Sequence, residues 1–323
     1  MQRFIVSSDL VGQRLDRALA YLASTTRSHV RVLIENGCIH VGGVPPKAGY
    51  LLRLGDEIYV IPLSVPPAGA VPQSIPLDML YEDEFLAAIN KPPGMVVHPA
   101  PGQWEGTVVN ALLWRWGRNE TSGSLRPGIV HRLDKDTSGV LLVVKDEKTQ
   151  ENLSRQFKER RVQKMYTAVV RGTPSPLQGK IVLPIGRHPV ERKKMAVRVR
   201  GGREAISQYE VVSEHNLVSL VRLFPETGRT HQLRVHLAAV GHPIIGDPVY
   251  GSRGVMRGVP SAIADFPRQA LHAERLRFFH PATHEPIMVY APYPQDFVSL
   301  LSTIRSLNEH PPRLKAEKAE VYY

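Results

Sequence analysis

The run VLLVVK, residues 140 to 145, is the strongest constraint on how this chain can fold. It is apolar and rich in β-branched residues, which predicts a buried strand. Directly before it stands HRLDKDTSG, His131 to Gly139. In that stretch Asp134 is flanked by Arg132 and Lys135 and followed by the turn formers Asp136, Thr137, Ser138 and Gly139. A carboxylate in a tight loop entering a core strand sits on rigid support, as a reacting group should. Asp also caps turns through its own side-chain hydrogen bonds. The loop alone supports both readings equally.

Composition narrows the class of partner. A chain of 323 residues with 42% hydrophobic content can build one large core plus a small domain. Charged residues make up 22%, which argues against wholesale disorder. The net charge of +11 calls for a polyanion: RNA, DNA or acidic lipid. Between Glu151 and Glu210 there are 14 Lys or Arg against 5 Asp or Glu, so nine of the eleven net charges lie there. Arg outnumbers Lys in that segment and no membrane-seeking amphipathic pattern is present, so nucleic acid is the better match. No apolar run reaches about 18 residues, so no membrane span is expected. The stretch MQRFIVSSDL lacks the features of a signal peptide. The single cysteine, Cys38, can form neither an internal disulfide nor a thiolate metal cluster; it is expected as a small core residue in a reducing cytoplasm.

Residues 1–63 read as a compact αβ module. Leu15, Leu19 and Leu22 form a helical stripe. A second helix follows, with Ser28 as N-cap, Val30, Leu33 and Ile34 as its apolar face, and Gly37 as its stop. Strands CIHV and IYVI complete the module. Arg27 and Arg31 lie about one helical turn apart, a spacing compatible with phosphate contacts or with an ordinary solvated face. Residue chemistry alone favours the solvated face.

Residues 64–76, SVPPAGAVPQSIP, read as a Pro-rich linker. Residues 77–304 then alternate strand-like and helix-like runs. Strands are expected at 86–90, 165–172, 206–213 and 217–224, and helices at 106–116, 147–160 and 229–241. Trp114 and Trp116 are expected to pack rather than to stack on bases. The tail 305–323 is charged and lacks an apolar face, so it is expected to be loose.

Several chemistries lack their signatures. HRLDKDTSG echoes a kinase catalytic loop, but no glycine-rich phosphate loop or DFG accompanies it. No HExxH or Cys/His ligand spacing appears among the 13 histidines, and no metal is expected. His231 and His236, five apart, read as a helix-surface or structural pair. GxSxG and GxGxxG are absent.

The pattern RLDRALAYL…TRSHVRVLIENGCIHVGG…LLRLGDEIYVI resembles the S-four-type RNA-binding domain, with Gly42-Gly43 where Asn-Gly is usual. That resemblance gives Arg27 and Arg31 an RNA role. Further blocks resemble the RluA-type pseudouridine synthases: INKPPGMVVHP (89–99), GIVHRLDKDTSG (128–139), KMYTAVVRG (164–172), GRTHQLRVHLAAVGHPIIGDPVYG (228–251) and ALHAERLRFFHPATHEP (270–286). Together the blocks span nearly the whole chain apart from the tail.

The resemblance implies an α+β fold: a small αβ RNA-binding domain, then a mixed α/β catalytic domain on a largely antiparallel sheet with flanking helices. It also implies an isomerase. The N-glycosidic bond of a uridine is broken, the uracil turned over and rejoined through a ring carbon, with no cofactor, redox partner or metal. Asp134 would be the nucleophile. Arg234 would hold it ionised at any working pH, and Tyr166 would lie against the displaced uracil and could move the ring-carbon proton. The uridine must be flipped from its stack, at a cost on the order of a few kcal/mol, and Arg132 would fill the space. Arg229, Arg192, Lys193 and Lys194, with Arg187, Arg198 and Arg200, would position the RNA backbone. Asn90, Lys91 and His98 are expected to be architectural, holding the catalytic loop. The expected substrate is large-subunit ribosomal RNA or a pre-ribosomal particle, acted on by a monomer. The alternatives are an inactive ribosome-assembly factor and a nucleoside hydrolase using the same carboxylate.

Overall fold

β1 (Gln2–Ile5) leads into two helices, α1 (Leu15–Leu22) and α2 (Arg27–Glu35), followed by β2 (Ile39–Val41) and β3 (Glu57–Val60). The strands pair antiparallel in the order β1-β3-β2. Leu15, Leu19, Val30 and Leu33 leave the helices to meet Ile39 and Ile58 in one core, against which the half-buried Cys38 packs. Because α2 begins at Arg27, Ser28 lies inside the helix rather than at its cap, and its side chain is outside the described residues. These elements belong to the first of two compact units, Met1–Ala68 and Gly69–Tyr323. The computed structural model describes residues 2–23, 27–35, 37–47, 49–61, 70–100, 102–117, 128–191, 194–215, 217–251 and 259–306.

Residues 70–76, expected to belong to a linker, are irregular but tied to the second unit. The Asn110 amide donates to Val71 O at 2.8 Å, and the Gly106 N–H donates to the Gln73 side chain at 2.7 Å. Residues 62–69 and 307–323 lie outside the described residues. No helix among the described residues is long and apolar enough to cross a membrane.

The second unit contains β4 (Met79–Glu82), β5 (Leu86–Lys91), α3 (Val108–Arg115), β6 (Ser138–Val144), α4 (Glu147–Lys158), β7 (Gln163–Arg171), β8 (Gln178–Val182), β9 (Ile185–Arg187), β10 (Met195–Val197), β11 (Ile206–His215), β12 (Val218–Pro225), α5 (Gln232–Ala239), α6 (Ser261–Ala264), β13 (Leu271–Phe279), β14 (Pro286–Tyr290) and α7 (Gln295–Ser306). Its main sheet runs β4-β5-β6-β13-β7-β12-β11-β8, with β14 added beside β13, and β9 and β10 form a separate hairpin. Every pairing in the main sheet is antiparallel except β6 with β13. The fold is therefore α+β on a largely antiparallel sheet.

β6 explains its own composition. Leu141 and Val143 enter the core under α3, while Val140, Leu142 and Val144 enter the core that includes Leu153 of α4. With both faces covered, no polar alternate is tolerated. Thr107 caps α3 by accepting from the Asn110 N–H. Where β6 crosses β13, Gly139 has φ of +113°, and a Cβ there would stand 2.2 Å from Ala273 O. Only glycine fits that approach.

Two further expectations about the second unit need correction. Trp114 is 59% exposed rather than packed, whereas Trp116 packs beneath α3 and donates from Nε1 to Glu82 at 3.1 Å. The helix expected over 229–241 begins at Gln232, because His231 adopts a left-handed backbone (φ 55°) that breaks the helical run.

Candidate active site

The Asp134 loop closes on itself: the Thr137 N–H donates to Asp134 O at 3.1 Å. Two cations then hold the next two carbonyls. Lys91, fully buried at the end of β5, donates from Nζ to Lys135 O (2.9 Å), Pro92 O (2.7 Å) and Met95 O (2.9 Å). Three carbonyls match the three protons of an ammonium. Burial still lowers its pKa to about 7, against the attraction of Asp136. Arg268 donates from Nη1 to Asp136 O at 3.0 Å and is held by Asp296 of α7 through Nε (2.7 Å) and Nη2 (3.0 Å). His131 accepts the Leu142 N–H at Nε2 (2.8 Å) and stacks on Phe157. Burial drives its pKa to about 3, so this imidazole is a neutral anchor. Asn90 instead donates to Asp78 at 3.0 Å, and His98 is half-buried. A reacting group on a loop fixed from several sides keeps one geometry.

α5 supplies the cation. Its side chains from Gln232 to Leu237 are all buried. Gln232 secures the helix start, accepting from the Arg229 N–H (3.0 Å) and the Thr227 hydroxyl (2.7 Å). Two residues on, Arg234 donates from Nη1 to Asp134 Oδ2 at 3.0 Å, and from Nε (2.7 Å) and Nη2 (2.9 Å) to Asp247. Burial opposes the charge on both Arg234 and Asp247. Their mutual hydrogen bonds outweigh it, raising the arginine's pKa and lowering the carboxylate's. Asp247 is fixed in turn by the N–H groups of Val249 (2.9 Å) and Tyr250 (3.0 Å).

Tyr166 stands on β7 between Ala273 of β13 and Leu223 of β12, packed against two of the apolar cores. Burial, and after it the charge of Asp134, raises its pKa, so the phenol stays protonated. On the same face of the strand, Lys164 donates to Thr227 O at 3.3 Å, and burial lowers its pKa to about 8. Asp134, Tyr166 and Arg234 are therefore brought together. Arg132 is exposed beside them.

The other basic residues differ in placement. Arg229 donates from Nε to Glu204 O at 2.9 Å, and Lys194 pairs with Glu191 at 2.6 Å. Arg192 and Lys193 lie outside the described residues. In the first unit, Arg27 (3.2 Å) and Arg31 (3.3 Å) converge with Arg14 (3.1 Å) on the covered carboxylate of Asp16. The hydrogen bond from Arg14, followed by that from Arg27, takes Asp16 down to about 2. One acid thus gathers three guanidinium groups on one surface.

His231 and His236 are not a pair. His236 is fully buried, with Nδ1 3.0 Å from Ser207 Oγ and Nε2 2.9 Å from Leu183 O. His231 faces the site, with Nε2 3.9 Å from Asp134 Oδ1. A buried arginine in a sequence demands a buried acid, yet several carboxylates could answer, so Asp247 is not identifiable by spacing. Arg268 and Asp16 are hidden in the same way.

Comparison with known proteins shows the family. The RNA pseudouridylate synthase family matches residues 86–239, and the S4 domain matches residues 13–58. An RNA pseudouridine synthase of Synechocystis sp. is 43% identical over 93% of this chain and 91% of that one. Ribosomal large subunit pseudouridine synthase D of Zymomonas mobilis is 39% identical over 96% of this chain and 99% of its own. Among solved structures, human RNA pseudouridylate synthase domain containing 4 superposes with a TM-score of 0.57 at 29% identity. That match covers 71% of this chain and 93% of the human one.

Proposed function

This chain belongs to the RluA-type RNA pseudouridine synthases, and we propose that it isomerises uridine in large-subunit ribosomal RNA with Asp134 as nucleophile. The observation that carries the assignment is the Asp134 carboxylate held by Arg234 at 3.0 Å on a loop pinned by Lys91 and Arg268. A flipped uridine presents C1′ to the carboxylate. The O–C1′ bond forms as the N1–C1′ bond breaks, its electron pair leaving with the uracil. The uracil turns, and C5 attacks C1′ and expels the carboxylate. C5 then loses its proton while N1 gains one, so nothing is consumed. Arg234 stabilises the carboxylate both as it attacks and as it departs. Tyr166 lies against the turning ring as a neutral phenol. Its raised pKa weighs against a phenolate role as the base for the C5 proton.

Substrate choice follows the relatives of matching length and the basic surfaces. Arg132 fills the vacated stack, while Arg27, Arg31, Arg229, Arg192, Lys193 and Lys194 meet phosphates. The protein acts as a monomer in the cytoplasm. The test uses the purified full chain with large- and small-subunit rRNA transcripts carrying tritium at uracil C5. Tritium should be released from the large-subunit transcript alone, with no free uracil, and D134N should release none. Uracil release would indicate a hydrolase. Activity confined to small-subunit or transfer RNA would overturn the substrate.

A further inference from the structure

We propose that His231 is a positioning residue for the nucleophile: a neutral imidazole whose Nε2–H is directed at Asp134 Oδ1 by Tyr250. The inference rests on the assignment of Asp134 as nucleophile and adds the group that holds its second oxygen.

Three contacts set the direction of the protons. The Met195 N–H donates to the Tyr250 hydroxyl at 2.8 Å, occupying one of its lone pairs. The same hydroxyl is 2.8 Å from His231 Nδ1. In this assignment the single hydroxyl proton goes to Nδ1, which makes Nδ1 the bare nitrogen. A neutral imidazole with Nδ1 bare carries its proton on Nε2, the atom 3.9 Å from Asp134 Oδ1. Arg234 holds Oδ2, so the two oxygens of Asp134 face two different donors. At 3.9 Å the second contact is longer than a hydrogen bond. Catalytic contacts are often long before substrate binds and shorten in the complex.

The backbone points the same way. His231 has φ of 55°, one of three described non-glycine residues with positive φ. Such strain persists where surroundings over-determine it, and it clusters at functional sites. Here it turns the ring out of the α5 helical surface toward Asp134, while the His231 carbonyl still accepts the first helical N–H, from Val235, at 2.9 Å. The charged or titratable groups facing the ring are Asp134, Arg234, Asp247 and Arg132, with the Tyr250 hydroxyl on its other side. Burial, opposed by Asp134, lowers the pKa of His231, which keeps the ring neutral at neutral pH.

Two measurements test the assignment. Long-range proton–nitrogen NMR on the full chain labelled with 15N-histidine, at pH 7.5, should show His231 protonated on Nε2 and bare on Nδ1. The opposite tautomer, or an imidazolium, overturns the proposal without any assay of activity. Tritium release from the rRNA transcript supplies the second measurement. H231A should lower kcat roughly ten- to a hundredfold and move KM less than about threefold. H231Q, which keeps an N–H donor, should recover part of the loss. Y250F should lower kcat by releasing the tautomer, and adding it to H231A should cost nothing more. A kcat for H231A within about twofold of wild type, or losses that add in full, would overturn the role. A wild type inert on every rRNA would instead remove the assignment of Asp134, leaving the tautomer result standing.

Discussion

Arg234 serves two carboxylates at once, Asp134 through Nη1 and Asp247 through Nε and Nη2. A lysine offers a single compact charge and cannot span both. R234K should therefore lose roughly a hundredfold in kcat, measured by tritium release; a loss under about threefold would show that the bridge is dispensable. Asp247 is the structural half of the bridge, with a fully buried side chain. D247N should destabilise the protein by about 3–5 kcal/mol, seen as a lower urea midpoint at unchanged slope. Asp16 gives a pH prediction in the first unit. Its folded pKa, about 2, lies below the ordinary 3.8. Its ion pairs therefore stabilise the fold above pH 3.8, and that contribution is lost as pH falls through about 2. Acid unfolding followed by circular dichroism should lose this component of its pH dependence in D16N. Asp134, Tyr166 and Arg234 could be singled out in the sequence because the family resemblance assigns each of them a role. Asp247, Arg268 and His231 could not, even though two of them lie within a quoted block, because their contacts form only in the folded chain.

Local pattern reached most elements but not their junctions. β6 could be read directly, since a strand covered on both faces must be apolar throughout. The start of α5 could not, because the helical periodicity continues through His231 in sequence while the backbone turns left-handed there. The reading of His231 and His236 as a helix-surface or structural pair rests on that continued helix, which the backbone at His231 breaks. At the crossing of β6 and β13, Gly139 makes a sharp prediction. G139A places a methyl carbon 2.2 Å from Ala273 O in a backbone conformation that alanine avoids. The variant should be recovered mostly insoluble, or destabilised by roughly several kcal/mol, read as a lower urea midpoint. Wild-type stability in G139A would show that the two strands separate more easily than the register implies.

Across the molecule, the concentration of nine of the eleven net charges between Glu151 and Glu210 frames RNA affinity as a salt-dependent quantity. If about six basic side chains meet phosphates of single-stranded RNA, log affinity should fall with log salt at a slope near −4. Filter binding of R27A/R31A should reduce that slope by roughly one unit. An unchanged slope would place those arginines away from the RNA. A different consequence follows from the parallel contact of β6 with β13. The residues that immobilise the reactive acid, Arg268 and Ala273, are polymerised long after Asp134 itself. For on the order of ten seconds of translation, a growing polypeptide carries the Asp134 loop without the clasp that holds it. The Asp134 loop is thus clasped only after the segment carrying Arg268 has been made.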